Sequence, residues 1–170
     1  MSAVRFRDAA RGDVPAIVAL LADDLLGKGR EGAEPQAYLA AFDDIIANPM
    51  HQLIVGEAEG HIVACAQLTV LSGLSRGGSR RGLVEAVRVA ADLRSQGLGA
   101  ALMAECEARA RAAGCSMIQL TSDKSRLRAH AFYERLGFVT HHRYEYRWPG
   151  DIPEDVVWPS DDTGGATGID

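Results

Sequence analysis

Cysteine is scarce in this chain: three residues in 170, Cys65, Cys106 and Cys115, at spacings that match no metal-ligand pattern. An odd, small number excludes a disulfide-built scaffold. Each sits among apolar neighbours, which predicts buried free thiols, a reducing compartment and a cytoplasmic location. Long hydrophobic runs are also missing. No stretch approaches the ~20 apolar residues that cross a bilayer, so no membrane span is expected. The opening MSAVRFRDAA has no apolar segment ahead of a cleavage site, and export is not expected either. Excess positive charge is absent as well. The net charge of -5 argues against a general nucleic-acid binder. Proline and glycine, at 6 and 18 residues, stay far below low-complexity levels.

What is present suits one ordinary domain, with 47% hydrophobic and 24% charged residues. The charge is uneven. Five arginines face one glutamate and one aspartate between Arg76 and Arg94, whereas DIPEDVVWPSDDTGGATGID carries only acids. We therefore expect a single domain over residues 1–148 and an acidic, Gly/Pro-rich tail over 149–170.

Periodicity sets the order of elements. VRFRDA alternates like a short strand. Asp13 is positioned to cap a helix that has Pro15 just inside it, with Val14, Ile17, Val18, Leu21 and Leu25 on one face. A second helix carries Tyr38, Phe42, Ile45 and Ile46 and stops at Asn48-Pro49. HQLIVGEAEGHIVACAQLTVL reads as two strands joined by a turn at Glu57 to Gly60, and LVEAVRVA as a third. A long helix follows from Gly97 to Ala113, with Leu98, Ala101, Leu102, Glu105 and Cys106 on one face and Gly114 as its stop. CSMIQLTS is a strand, the segment around Ala129, Phe132, Tyr133 and Leu136 a helix, and FVTHHRYEYRW the last one or two strands. Asp123 is placed to cap that last helix. The fold class is α+β, a mixed α/β order with a central hairpin that a doubly wound sheet lacks.

Chemistry concentrates in VEAVRVAADLRSQGLGAALM, where a strand turns through glycines into a long helix. Gly97 and Gly99 let backbone come close to a ligand, and the unpaired amides at the helix start favour phosphate. Arg94 adds positive charge. Glycines at such a turn also serve packing alone. A dinucleotide fingerprint is excluded, because its third glycine is Leu102 here.

These residues resemble the GNAT superfamily of acetyl-CoA-dependent N-acetyltransferases. Arg94, Gly97 and Gly99 fill its Q/R-x-x-G-x-G/A signature, and AFYERLGF supplies the late aromatic-Tyr-x-x-x-Gly-Phe pattern with Phe132, Tyr133, Gly137 and Phe138. The resemblance runs from Val4 to about Trp148. It implies a central, mostly antiparallel sheet of six to seven strands, splayed in the middle and flanked by about four helices. It also implies acetyl-CoA as co-substrate. Backbone of Val87, Arg88 and Val89 would hold the pantetheine arm, with the Val89 amide polarising the thioester carbonyl. Amides of Ser95, Gln96, Gly97, Leu98, Gly99 and Ala100 would hold the pyrophosphate.

The resemblance places Tyr133 as general acid toward the departing thiolate. It places Glu85, two residues before Val87, as an acid that accepts the ammonium proton through water or holds the ammonium. A surface ion pair of Glu85 with Arg88 or Arg81 stays open, as does simple packing for Tyr133. Thr121, Ser122 and Asp123 stand where many members carry a pantetheine-binding Asn. Lys124, Arg126 and Arg128 read first as a solvated loop, and His130 as a surface or capping residue. His141 and His142 alternate across a strand, so no metal site is expected.

The implied reaction is direct transfer of acetyl to the primary amine of a small molecule, without a covalent acyl-enzyme. The alternatives are a protein Lys or N-terminal acetyltransferase and a non-catalytic acyl-CoA-binding module. SGLSRGGSRRG forms a basic lip that either attracts an acidic acceptor or is solvated surface. A homodimer through the last strands, with Trp148 and Trp158, is a further expectation. No nucleic-acid or membrane partner is expected.

Overall fold

The computed structural model describes residues 4–23, 31–123 and 125–140. The elements are β1 (Arg5–Asp8), α1 (Val14–Ala22), α2 (Pro35–Ala47), β2 (His51–Ala58), β3 (His61–Leu71) and the single turn α3 (Ser75–Gly78). They continue as β4 (Arg80–Val89), α4 (Leu98–Ala112), β5 (Cys115–Leu120) and α5 (Leu127–Arg135). The five strands form one sheet in the order β1-β2-β3-β4-β5, antiparallel except for β4 and β5. That parallel pair is joined by α4, as a parallel connection requires. The class is α+β, as expected. The described strands number five rather than six to seven; FVTHHRYEYRW, Trp148, Trp158 and the tail lie largely or wholly outside the described residues.

The β2–β3 turn has Glu59 and Gly60, both at positive φ (51° and 77°). That geometry matches the twist of the flanking strands and fixes their register. The central strands are buried on both faces, which explains their nearly continuous apolar runs. On one face Ile54, Ala64, Ala66, Leu68 and Val84 meet Leu98, Leu102, Met103, Cys106 and Ala110 of α4. On the other, Val55 and Cys65 meet Ile17 and Leu20 of α1. Burying a Leu or Ile side chain in such a cluster stabilises by roughly 1.5–3 kcal/mol. α4 lies close because residue 82 is glycine: a Cβ there would stand 3.0 Å from Leu68 Cδ1 and 3.1 Å from Ala110 Cβ.

Several local expectations are corrected. The buried stripe of α4 runs Leu98, Leu102, Cys106 and Ala110, with Met103 beside it, and leaves Ala101 exposed. Steps of four residues keep that row centred on the sheet and put Ala101 past its rim. In α2 only Phe42 is buried, and Ile46 is 57% exposed because the helix touches the body along one narrow line. The Asp13 carboxylate does not cap α1. It accepts from Arg7 Nη1 at 2.7 Å and Ala10 N at 2.7 Å, so it closes the turn before the helix. Strand β4 begins at Arg80, three residues ahead of LVEAVRVA, because β5 pairs with it from Arg80 and β3 from Arg81. Cys65 and Cys106 are buried; Cys115 is half-buried.

Candidate functional site

The site is built where β4 changes character. Its ladder with β3 is regular from Arg81 to Glu85, then shifts: Cys65 faces Arg88 while Gln67 faces Glu85. Ala86 and Val87 thus oppose the single residue Ala66, which is a β-bulge. Ala86 sits at φ 53°, a left-handed conformation that costs a residue with a Cβ about 1–2 kcal/mol. The buried Cys65 thiol donates to the Ala86 carbonyl at 3.6 Å and satisfies a group that the bulge removes from the ladder. On its other edge β4 pairs with β5 only as far as Val84, opposite Leu120. From Glu85 onward that edge has no strand partner among the described residues.

The opening is a cavity of about 350 Å³. Glu85, Ala86, Val87 and Arg88 of β4 line it, and so do Thr121, Ser122, Asp123 and Arg126 after β5 and Tyr133 of α5. Leu21 of α1 and Glu31 reach it from the side of the first two helices. Glu85 is exposed and makes no ion pair among the described residues, so the pairing with Arg81 or Arg88 is not formed. The Arg88 guanidinium donates to the Val87 carbonyl at 3.0 Å.

Tyr133 is half-buried, held edge-on by Phe132 at 5.0 Å and Phe138 at 5.7 Å between ring centroids. Burial pushes its phenol above the ordinary tyrosine value, against the opposing pull of Arg126 and Arg88. Gly137 at φ 85° ends α5, and the chain then folds Phe138 back so that its amide donates to the Tyr133 carbonyl at 3.0 Å. The hydroxyl itself makes no hydrogen bond among the described residues.

Beyond the bulge, the chain passes through Ser95 and Gly97, at φ 64° and 86°, into α4. No side chain caps this helix. Its first-turn amides, those of Leu98, Gly99 and Ala100, precede the first intrahelical bond, Ala101 N to Gly97 O at 3.0 Å. Such a terminus carries the positive end of the helix dipole and suits an anion. A Cβ at Gly97 would meet nothing within 4 Å, so its glycine serves the backbone turn. Gly99 serves a second purpose: a Cβ there would stand 3.2 Å from Phe132 Cζ. The glycine signature and the aromatic motif are therefore in contact, and a side chain at residue 99 would press on the Phe132 ring where α5 meets the start of α4.

Arg94 points elsewhere than toward that terminus. Its Nε donates to the Val89 carbonyl at 3.0 Å, and its Nη2 to the Asp23 carbonyl at 3.0 Å and carboxylate at 2.8 Å. It straps the end of α1 to the end of β4. Asp123 is not the cap of α5: its carboxylate accepts from Ser125 N at 2.8 Å, and α5 starts after Arg126. His130 Nε2 bonds the Asp123 carbonyl at 2.8 Å, a structural contact. Arg126, read as a loop residue, is half-buried in the cavity wall, while Lys124 lies outside the described residues. Ser122 Oγ is buried there with no hydrogen-bond partner among the described residues. No group of residues able to hold a metal occurs among the described residues, and no described helix is long and apolar enough to cross a membrane.

The residues fit acetyl-CoA on three counts. An uncapped helix terminus suits the pyrophosphate, an unpaired β4 edge suits the amide-bearing arm, and the orphaned Ser122 hydroxyl is a polar contact for it. Leu21, Glu31 and the Cys65–Ala86 bond had no sequence signal, since each depends on which elements meet.

Comparison with known proteins agrees with this fold. The chain matches the model of the Acetyltransferase (GNAT) family over residues 15–138. Glucosamine 6-phosphate N-acetyltransferase of Trypanosoma brucei brucei is 38% identical over 84 residues, which cover 49% of this chain and 55% of that protein. The chain thus spans about half the length of the curated relative it matches. A transcriptional regulator from Bacillus halodurans C-125 superposes with a TM-score of 0.81 at 39% identity, covering 86% of this chain and 100% of that one. An acetyltransferase from Trypanosoma brucei superposes at 0.71 with 27% identity, over 85% and 99% of the two chains.

Proposed function

The chain belongs to the acetyltransferase (GNAT) family, and on that premise we propose that it moves the acetyl group of acetyl-CoA directly to the primary amine of a small molecule. The observation that carries this reading is that Glu85 and Tyr133 line one cavity at the bulge. Amides of Leu98, Gly99 and Ala100, with the Ser95–Gly97 turn, hold the pyrophosphate. The free edge at Val87, Arg88 and Val89 holds the pantetheine, and the Val89 amide stabilises the oxyanion as it forms.

An amine of pKa near 10 arrives protonated. A carboxylate of ordinary pKa about 4.3 is a weak base for it, so Glu85 holds the ammonium and passes its proton to water. The amine nitrogen then attacks the thioester carbon, the C–S bond breaks, and its electron pair leaves on sulfur. Tyr133, neutral at this pH and raised further by burial, supplies the proton that makes CoA thiol; the acylated nitrogen sheds its second proton to water beside Glu85, and the phenol regains a proton from solvent.

The cysteines support direct transfer rather than an acyl-enzyme. Burial pushes the Cys65 thiol up to about 12 and the Cys106 thiol up to about 11, which leaves neither as a thiolate nucleophile at neutral pH. A cavity of about 350 Å³ is of small-molecule size. The name of the curated relative, an N-acetyltransferase of an amino-sugar phosphate, supports the same class of acceptor. Free thiols support a reducing, cytoplasmic setting.

The test is free-thiol release from acetyl-CoA across a panel of amino acids, polyamines, phosphonates and peptides, wild type against Tyr133→Phe. Turnover with one class, cut about 10²-fold in the variant, is expected, since general acids contribute ~10²–10⁴-fold. Acetyl-CoA binding with no turnover on any amine would move the chain to the non-catalytic acyl-CoA-binding module.

A further inference from the structure

The basic lip remains unused by this mechanism. Its arginines meet in a second cleft, of about 220 Å³, at the start of β4 between α3 and β5. Ser75, Arg76, Ser79, Arg80, Arg81 and Ser116 are among its lining residues, and no carboxylate is. Arg80 donates to the Ala113 carbonyl at 3.2 Å and is committed to the fold. Arg76 and Arg81 make no hydrogen bond or ion pair among the described residues. Arg7, Arg11, Arg94, Arg109 and Arg111 each have a carboxylate partner. Arg76 holds a left-handed conformation (φ 53°) ahead of Gly77 and Gly78, both also at positive φ. That curl places it on the same cleft as Arg81.

The strand fixes where this cleft stands relative to Glu85. Gly82 and Val84 face α4, so Arg81, Leu83 and Glu85 face the other side of the sheet. The ladder with β3 is unshifted from Arg81 to Glu85, and the bulge begins only beyond. Four strand residues at about 3.3 Å each separate the two Cα positions by ~13 Å along one face. Half-buried Leu83 floors the interval.

We propose that Arg76 and Arg81 form the distal part of the acceptor site and bind a terminal anionic group, carboxylate or phosphate, of an amine whose nitrogen lies at Glu85. A guanidinium fork takes either group through two parallel hydrogen bonds, and the serine hydroxyls complete the shell. The acceptor is then an elongated amine. A single amino acid, with both charged groups on one carbon, is too short to reach both ends. The amine end of this proposal rests on the acetyltransferase reading; the anion end does not.

Glycine peptides serve as rulers, because an extended chain gains about 3.3–3.6 Å per residue. Acetylation of peptides of one to six glycines is measured with free carboxylate and with amidated ends, in wild type, Arg76→Gln and Arg81→Gln. Both variants change exposed side chains. In wild type kcat/KM peaks near tetraglycine and the carboxylate exceeds the amide about tenfold, as expected for one charge-assisted contact. In Arg81→Gln that ratio falls toward one. Equal rates for carboxylate and amide in wild type, or an unchanged ratio in both variants, overturns the proposal.

A second readout is independent of turnover. Inorganic phosphate is titrated against the arginine Nε–H resonances of the same three proteins. Saturable shifts in wild type that disappear in Arg81→Gln support the anion site even if no peptide is acetylated, and the amine panel with Tyr133→Phe then decides the acetyltransferase reading separately. Absence of phosphate binding in wild type overturns the site even if short amines are turned over.

Discussion

The two halves of β4 are a controlled comparison within one strand. From Arg81 to Val84 the strand has β3 on one side and β5 on the other, and α4 sits against Gly82. From Glu85 to Val89 its only strand partner among the described residues is β3, through a bulge, with Ala86 in a conformation its side chain disfavours. The first half obeys the rules of a buried sheet. The second half breaks them together at one place, and there lie the cavity and both candidate catalytic side chains. Strain and an unpaired strand edge persist in native proteins where they serve a site. The strand opens here by losing a neighbour rather than by acquiring unusual residues.

Equivalent substitutions in the two halves should separate stability from binding. Gly82→Val forces a branched side chain against Leu68 and Ala110 and should destabilise by about 1–3 kcal/mol, read as a lower urea midpoint. Acetyl-CoA affinity of the folded fraction should not change. Ala86→Val puts a branched residue at positive φ and shifts Val87 to Val89. It should weaken acetyl-CoA binding about tenfold, a loss of ~1.4 kcal/mol, measured by titration calorimetry. If the two variants lose affinity equally, the halves are not distinct.

A smaller effect concerns pH. The Cys65 and Cys106 thiols are raised by burial from 9.0 to about 12 and about 11. A raised folded value means the stabilisation is complete below pH 9 and is lost as pH climbs toward 11 and 12, because the unfolded thiols ionise first. Urea midpoints measured from pH 8 to 11 should therefore fall above pH 9, and Tyr133, also raised, adds to the fall above pH 10. Cys65→Ala, beneath the bulge, should flatten this slope; an unchanged slope would contradict the assignment. The smallest effect is expected from Asp23→Asn. An exposed ion pair contributes about 0–1 kcal/mol, so thermal stability should barely move. A drop in acetyl-CoA affinity without a drop in stability would sharpen the comparison, by showing that the Arg94 strap holds the end of β4 in place.

Legibility followed the range of the interaction. The β2–β3 hairpin, α4 and α5 were readable because period, turn residues and terminal glycines are local signals. The glycine signature and the AFYERLGF pattern marked the two sides of the site for the same reason. Contacts between distant segments left no such trace. The Cys65 thiol on the Ala86 carbonyl, Phe132 on Gly99 and Arg94 on Asp23 join residues from different elements. Local patterning also misplaced Asp13 and Asp123 as helix caps, since a short carboxylate binds whichever donor comes nearest, here Arg7 and Ser125.

By itself the chain's order of residues determined the α+β class, the hairpin, the position of the strand-to-helix turn and membership of a family whose motifs are local strings. Those are properties of neighbouring residues, settled by periodicity and backbone preference. The meeting of separate elements set where β5 ends, at Leu120, where β4 bulges, at Ala86, and that Glu85 and Tyr133 line one cavity while Arg81 stands four residues back on the Glu85 face. Each of these depends on where separate elements stop and meet. That is a matter of packing α1, α4 and α5 around one sheet, and no short stretch of sequence carries it.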